Sequence, residues 1–133
     1  MRHRSMPRVR VIRRRQAAAP ELDRSEVCHL TTTGRVTGRA HRIEIWFAHR
    51  QGTLYFLSGG GGRADWVLNL LRNPRVTVQV GGRDRRGEGR VVRDPSEQAL
   101  ARDLLYHKYA ERYADDLVDW RETALPVAVD LLP

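Results

Sequence analysis

The chain has 133 residues, 41% of them apolar, and a formal net charge of +8. That length fits one domain around one core, and no apolar run approaches the ~18 residues of a membrane-spanning helix. The single cysteine, Cys28, excludes an internal disulfide and fits a reducing, cytoplasmic setting, and no grouping of Cys, His and carboxylates has metal-ligand spacing.

Residues 1–20 form a basic segment. Arg2, Arg4, Arg8, Arg10, Arg13, Arg14 and Arg15 have no acid among them, and the rest of the chain sets 17 basic against 16 acidic residues. The basicity therefore belongs to an arm, which reads as unstructured and could touch anionic lipid weakly. The near-neutral remainder argues against a specific nucleic-acid partner. Residues 21–133 are expected to form the folded domain.

Within that domain, 27–33 suits a strand and runs into a glycine turn at Gly34 and Gly38. Residues 42–48 alternate and are rich in β-formers, Gln51-Gly52 is a hairpin turn, and 53–58 is a third strand. Four glycines, 59–62, lead into a short helix over 63–72, which Asn73-Pro74 closes. Residues 75–80 alternate strictly, Gly81-Gly82 turns the chain, and 88–93 returns as a fifth strand. Asp94-Pro95-Ser96-Glu97 combines a cap, a first-position proline and a capping-box glutamate, so a helix starts there and runs to about residue 113. Residues 125–131 make a sixth strand. The pattern predicts a mainly β, α+β fold: a small Greek-key or split barrel of six strands, with one inserted and one late helix.

Chemistry concentrates in three places. In Leu30-Thr31-Thr32-Thr33-Gly34-Arg35-Val36-Thr37-Gly38-Arg39, hydroxyls, bare amides and guanidinium groups converge within ten residues, which suits an anion such as phosphate or else a solvated basic turn. The glycine run after Ser58 reads either as a flexible loop or as backbone that lies close against a flat ligand. Tyr106, Tyr109 and Tyr113 share one face of the late helix, either to pack it on the barrel or to wall an aromatic substrate. Trp46 and Trp66 flank the glycine run and pose the same choice. No nucleophile–base–acid set is evident, and Asp115, Asp116 and Asp119 read as a solvated loop. An enzyme built this way leaves the hard chemistry to a bound cofactor.

Taken in order, Leu30-Thr31-Thr32-Thr33-Gly34-Arg35 with Thr37-Gly38, Ser58 with its glycines, Trp66 with Asn69-Leu70, Asn73-Pro74-Arg75-Val76, and Trp120 with Leu125-Pro126-Val127 resemble the deazaflavin-dependent nitroreductase and quinone-reductase family of split-barrel, FMN-binding-like proteins. The resemblance spans about 28–131. It implies an oxidoreductase that binds reduced coenzyme F-420, an 8-hydroxy-5-deazaflavin whose tail carries a phosphate and an oligoglutamate chain. On that resemblance the cofactor site comprises Thr32, Thr33, Gly34, Arg35, Thr37, Gly38, Arg39, His41, Ser58, Gly59, Gly60, Trp66 and Asn69. Ser58 would be the proton donor, and Trp46, Tyr106, Tyr109 and Tyr113 would shape the side that takes a small quinone, nitro or unsaturated substrate. Val36, Ala40-His41, Gly59 and Glu44 depart from the family pattern, chiefly by removing cations. FMN is the alternative cofactor, a non-catalytic flavin binder is the alternative class, and pairing into a homodimer is open because split barrels often pair.

Overall fold

The computed structural model describes residues 20–113 and 116–133. The basic arm, apart from Pro20, lies outside the described residues, as does Asp115. A single antiparallel sheet dominates. In chain order its strands are β1 (Val27–Thr33), β2 (Ala40–Trp46), β3 (Ala48–Arg50), β4 (Thr53–Ser58), β5 (Arg75–Val80), β6 (Arg83–Val91) and β7 (Leu125–Leu131). Across the sheet they lie in the order β2-β1-β5-β6-β7-β4-β3. The helices are α1 (Glu21–Arg24), α2 (Asp65–Arg72), α3 (Pro95–Tyr109) and α4 (Val118–Thr123), with one 3-10 turn at Gly61–Arg63.

Among the described residues there are seven strands, not six. The expected second strand breaks at Phe47: β2 pairs with β1 at one edge of the sheet, and β3 pairs with β4 at the other. One stretch of chain thus supplies both edges, so the sheet curls until they nearly meet and a split remains between β2 and β4. At Phe47 the backbone has left one ladder and not yet joined the next, so its polar groups need partners from elsewhere. Helix α3 provides them. The Phe47 N–H donates to the Tyr109 hydroxyl at 3.0 Å, and the Phe47 carbonyl accepts from Lys108 Nζ at 2.8 Å. The Tyr109 hydroxyl in turn donates to the Glu26 carbonyl at 2.6 Å. Burial of Lys108 against the Phe47 ring, 3.9 Å from its centroid, pulls the ammonium down to about 8.

Strand alternation builds two cores, one on each side of the curled sheet. Cys28, Leu30, Phe56, Val78 and Val127 point inside the barrel, where Val67 and Leu70 of α2 join them. Burial pushes the Cys28 thiol up to about 12, which leaves it an inert packing group. Tyr55, Leu57 and Ala128 face the other way and receive Ala101, Leu105 and Tyr109 of α3. Strand β4 is therefore buried on both faces, and its sequence Leu54-Tyr55-Phe56-Leu57 is continuously apolar or aromatic.

Strand β6 begins at Arg83, five residues before its expected start at 88, and ends at Val91 rather than 93. Gly87, just before the expected start, and Gly89, inside the expected strand, both sit where a neighbour comes too close for a Cβ: Gly87 against Val129, and Gly89 against Leu70. The gap at Gly89 is what lets α2 settle onto the sheet. The late helix stops at Tyr109, short of the expected 113, so Tyr113 belongs to the segment that follows. Asp119, expected in a loop, falls inside α4.

The start of α3 is fixed as the sequence suggests, with the Glu97 N–H donating to Asp94 Oδ2 at 3.0 Å. The Glu97 side chain, however, does not return to the cap. It takes a two-pronged contact from Arg90, 2.8 Å at each prong, and a hydrogen bond from the Tyr55 hydroxyl at 2.7 Å. Arg90 also grips Asp130 at 2.7 and 3.1 Å, and Thr53 donates to the same carboxylate. The Arg90 hydrogen bonds hold both carboxyls below their ordinary range, 4.5 for Glu97 and 3.8 for Asp130. Below pH 5 the unfolded chain takes up protons on these groups before the folded chain does. The cluster's stabilisation is therefore complete above about pH 5 and is lost as the pH falls through the depressed values. Arg90→Met should cost about 1–2 kcal/mol at neutral pH, discounted because Arg90 is 41% exposed, and should flatten the acid limb of a urea-unfolding pH series.

Candidate active site

Two cavities open along β2. The first, about 500 Å³, lies at the split and is lined by Val27, Glu44, Ile45 and Trp46 from one wall, Leu57 from β4, and Leu117 and Trp120 from the α4 region. The second, about 190 Å³, lies at the β1–β2 hairpin tip and is lined by Gly34, Arg35, Val36, Thr37, His41, Asp65 and Asn69. From Trp46 to Ala40, β2 runs six residues, about 20 Å at the usual rise per strand residue. The glycine segment follows Ser58, the neighbour of Leu57 in the first cavity's wall, and leads to Asp65 in the second. One chain segment thus links the two.

The small cavity is held together by Asn69. This side chain is 3% exposed, and its Oδ1 accepts from the Arg35 N–H at 3.1 Å and from Arg35 Nη1 at 2.8 Å. Its Nδ2 donates to Thr32 Oγ1 at 3.2 Å. One buried amide therefore ties the end of β1, the turn and α2 into a unit. Arg35 Nη2 also contacts the Asp65 carboxylate at 3.1 Å. The turn closes on itself through Gly34 N–H to the Arg39 carbonyl at 2.7 Å and Gly38 N–H to the Gly34 carbonyl at 2.9 Å. A Cβ on Gly34 would lie 2.6 Å from the His41 ring, so a larger residue there would displace that exposed side chain from the pocket. Gly38 has φ +74, the left-handed region that favours glycine. Thr37 accepts from the Arg39 N–H at 3.2 Å, Thr33 ends β1 opposite Ala40, and the Arg39 side chain is exposed.

The large cavity has an aromatic floor. Trp46 stacks on Tyr109 at 4.2 Å with 7° between planes and meets Trp120 edge-on at 5.6 Å. Tyr113 leans on Trp46 at 4.6 Å and donates its hydroxyl to Glu26. Ser58 is 2% exposed and donates to the Gly61 carbonyl at 2.9 Å, which shapes the start of the glycine segment. Past it, Gly59 and Gly62 face open space, while Gly60 packs on Ala64.

The structure thus gathers Gly34, Arg35, Thr37, His41 and Asn69 in one pocket, with Thr32 buried behind Asn69, and sets Trp46 in another; Ser58, Gly59 and Gly60 line neither and lie on the chain segment that joins them. It separates the three tyrosines. Tyr109 is fully buried beneath Trp46, Tyr113 contacts Glu26, and Tyr106 lies under the Arg121 guanidinium at 4.8 Å. None of the three lines either cavity. Trp66 packs edge-on against Phe56 in the barrel interior, 5.9 Å between centroids. Val27, Leu57, Leu117, Trp120 and Asp65 line the cavities, although the sequence does not mark them as site residues. Trp120 carries a signal in its motif; Asp65 carries none.

A family model described as F420H2-dependent quinone reductase matches residues 5–132. Among solved structures, an F420-H2 dependent reductase superposes with a TM-score of 0.64 at 22% identity, covering 80% of this chain and 95% of that one. An F420 reductase gives 0.61 at 20% identity, covering 86% and 93%. A conserved hypothetical protein from Mycobacterium tuberculosis gives 0.70 at 18%, covering 89% and 80%. At these identities the structures establish a shared split-barrel fold, and the family match carries the rest. The chain belongs to the F420H2-dependent quinone reductase family and is an oxidoreductase.

Proposed function

We propose that this protein binds reduced coenzyme F-420 along β2 and the glycine segment and reduces a small planar quinone, nitro or unsaturated compound. The observation that carries the reading is the pair of cavities of opposite character, one aromatic and one built around Arg35, linked by a glycine segment in which Gly59, Gly61 and Gly62 have open Cβ positions. A deazaflavin, when bound, supplies a hydride and little one-electron chemistry.

This chain's own residues bind and orient. Arg35, the turn amides around Gly34 and Gly38, and Thr37 would hold the tail phosphate, with Asn69 fixing Arg35 in place. Ser58 holds the Gly61 carbonyl, so the segment from Gly59 to Gly62 keeps a shape that admits a flat ring. In that role Ser58 is a positioning residue; to act as a proton donor it would have to release Gly61. Trp46 and Trp120, with Leu57 and Leu117, give an acceptor a dry slot beside that ring, where holding the partners together lowers the barrier. Tyr109 acts beneath this slot by supporting Trp46, and Tyr113 does so from the side.

FMN is the rival cofactor. Its tail ends at the phosphate, so it would use both cavities with fewer cations. Fluorescence titration of both cofactors at one ionic strength separates the readings: tighter binding of coenzyme F-420 is expected, and tighter binding of FMN overturns the assignment.

A further inference from the structure

The pocket proposed for the tail phosphate contains its own anion. Asp65 is the first residue of α2, its side chain is 86% exposed, and its carboxylate lines the same 190 Å³ cavity as Arg35. The carboxylate sits 3.1 Å from Arg35 Nη2, and the Asp65 carbonyl lies 3.5 Å from Nη1. Arg35 cannot swing away, because Asn69, buried and bonded to Thr32, holds both its backbone N–H and its guanidinium. A guanidinium has five N–H donors, and these contacts use three at most, so donors remain for a ligand. An anion entering the pocket therefore finds a preorganised arginine whose charge is already balanced by a neighbouring carboxylate.

We propose that Asp65 is a specificity-determining residue that makes this pocket select a phosphodiester monoanion over a phosphomonoester dianion. The inference rests on the reading of the pocket as the phosphate subsite. A phosphate that bridges two groups carries one negative charge at neutral pH, and a terminal phosphate carries nearly two. The Arg35–Asp65 pair is close to neutral, so the first charge is accepted through the remaining Arg35 donors against a single nearby carboxylate. The second adds to the repulsion from the Asp65 carboxylate, and the cavity-lining residues include no lysine and no arginine besides Arg35. The penalty for the second charge falls on FMN, whose phosphate is terminal, and spares a deazaflavin whose phosphate bridges ring and tail.

Small phosphate esters test this without either cofactor. Phenyl phosphate, a dianion at pH 8, and methyl phenyl phosphate, a monoanion, are titrated into the full chain while the Gly34 and Gly38 amide resonances are followed by NMR. Asp65→Asn should tighten phenyl phosphate roughly three- to tenfold and the diester clearly less, and the difference should shrink at high salt. In an Arg35→Gln background the gain should vanish. Asp65→Ser, small, neutral and at the exposed first position of α2, gives the same comparison if Asp65→Asn melts early. Equal tightening of both esters, no change, or weaker binding of phenyl phosphate would overturn the proposal. The coenzyme itself forms a separate arm. If the esters behave as expected and coenzyme F-420 binds neither protein, Asp65 keeps its role and the proposed function falls.

Discussion

Tyr109→Ala is expected to cost the fold about 3–5 kcal/mol. The ring is fully buried, is stacked under Trp46, and closes the hydrogen bonds of the strand junction at Phe47 and of Glu26. Truncation opens a cavity and strands backbone groups at once. Tyr109→Phe separates the two effects: it keeps the stacking and should lose only about 1–3 kcal/mol for the unpaired Phe47 N–H and Glu26 carbonyl. Urea unfolding of both variants gives the comparison. Burial drives the Tyr109 hydroxyl far above its ordinary range, so it stays protonated and its role is unaffected by pH up to the alkaline limit of the fold. Were Tyr109→Ala to leave stability intact and depress only turnover, the ring would be a substrate wall and not a support.

Arg35→Ala should weaken cofactor binding tenfold to a hundredfold. A charge-assisted hydrogen bond is worth about 1.5–3 kcal/mol, and each ~1.4 kcal/mol is a factor of ten. The backbone N–H of Arg35 still reaches Asn69 Oδ1 at 3.1 Å in that variant, so the turn should keep its shape and most of its stability. The loss should diminish at high salt. Arg50, exposed on β3 and lining neither cavity, is the control. An equal loss on Arg50→Ala would mean general charge attraction and would remove Arg35 from the site.

Local signals proved readable where one segment carries its own reason. The alternation of residues 75–80 gives β5, and Asp94 caps α3 as its spacing implies. Readings failed where the reason lies in a distant partner. Glu97 completes a capping box on paper, yet Arg90 and Tyr55 outcompete the backbone for its carboxylate. The strand expected over 88–93 begins five residues earlier, at Arg83, and nothing local shows that Gly87 within it yields its space to Val129. Residues 42–48 show no interruption, because the break at Phe47 is imposed by Tyr109 and Lys108, some sixty positions further on. The anion pocket was legible as a turn of hydroxyls, amides and arginine. Its organising amide, Asn69, came with the family motif, and its counter-ion, Asp65, follows only from a packing of α2 on the turn that no local pattern encodes.

Because β2 and β3 are one strand that changes partners at Phe47, the two walls of the split share a vertex. They diverge from it, β2 running out toward His41 and β4 toward the glycines. The two cavities lie along that one strand at different distances from the vertex, the 500 Å³ one beside Trp46 and the 190 Å³ one at the hairpin tip about 20 Å away. Their spacing is therefore written into the length of β2, and an inserted or deleted residue there would shift both the distance between the cavities and the register on β1 that keeps the strand in the sheet.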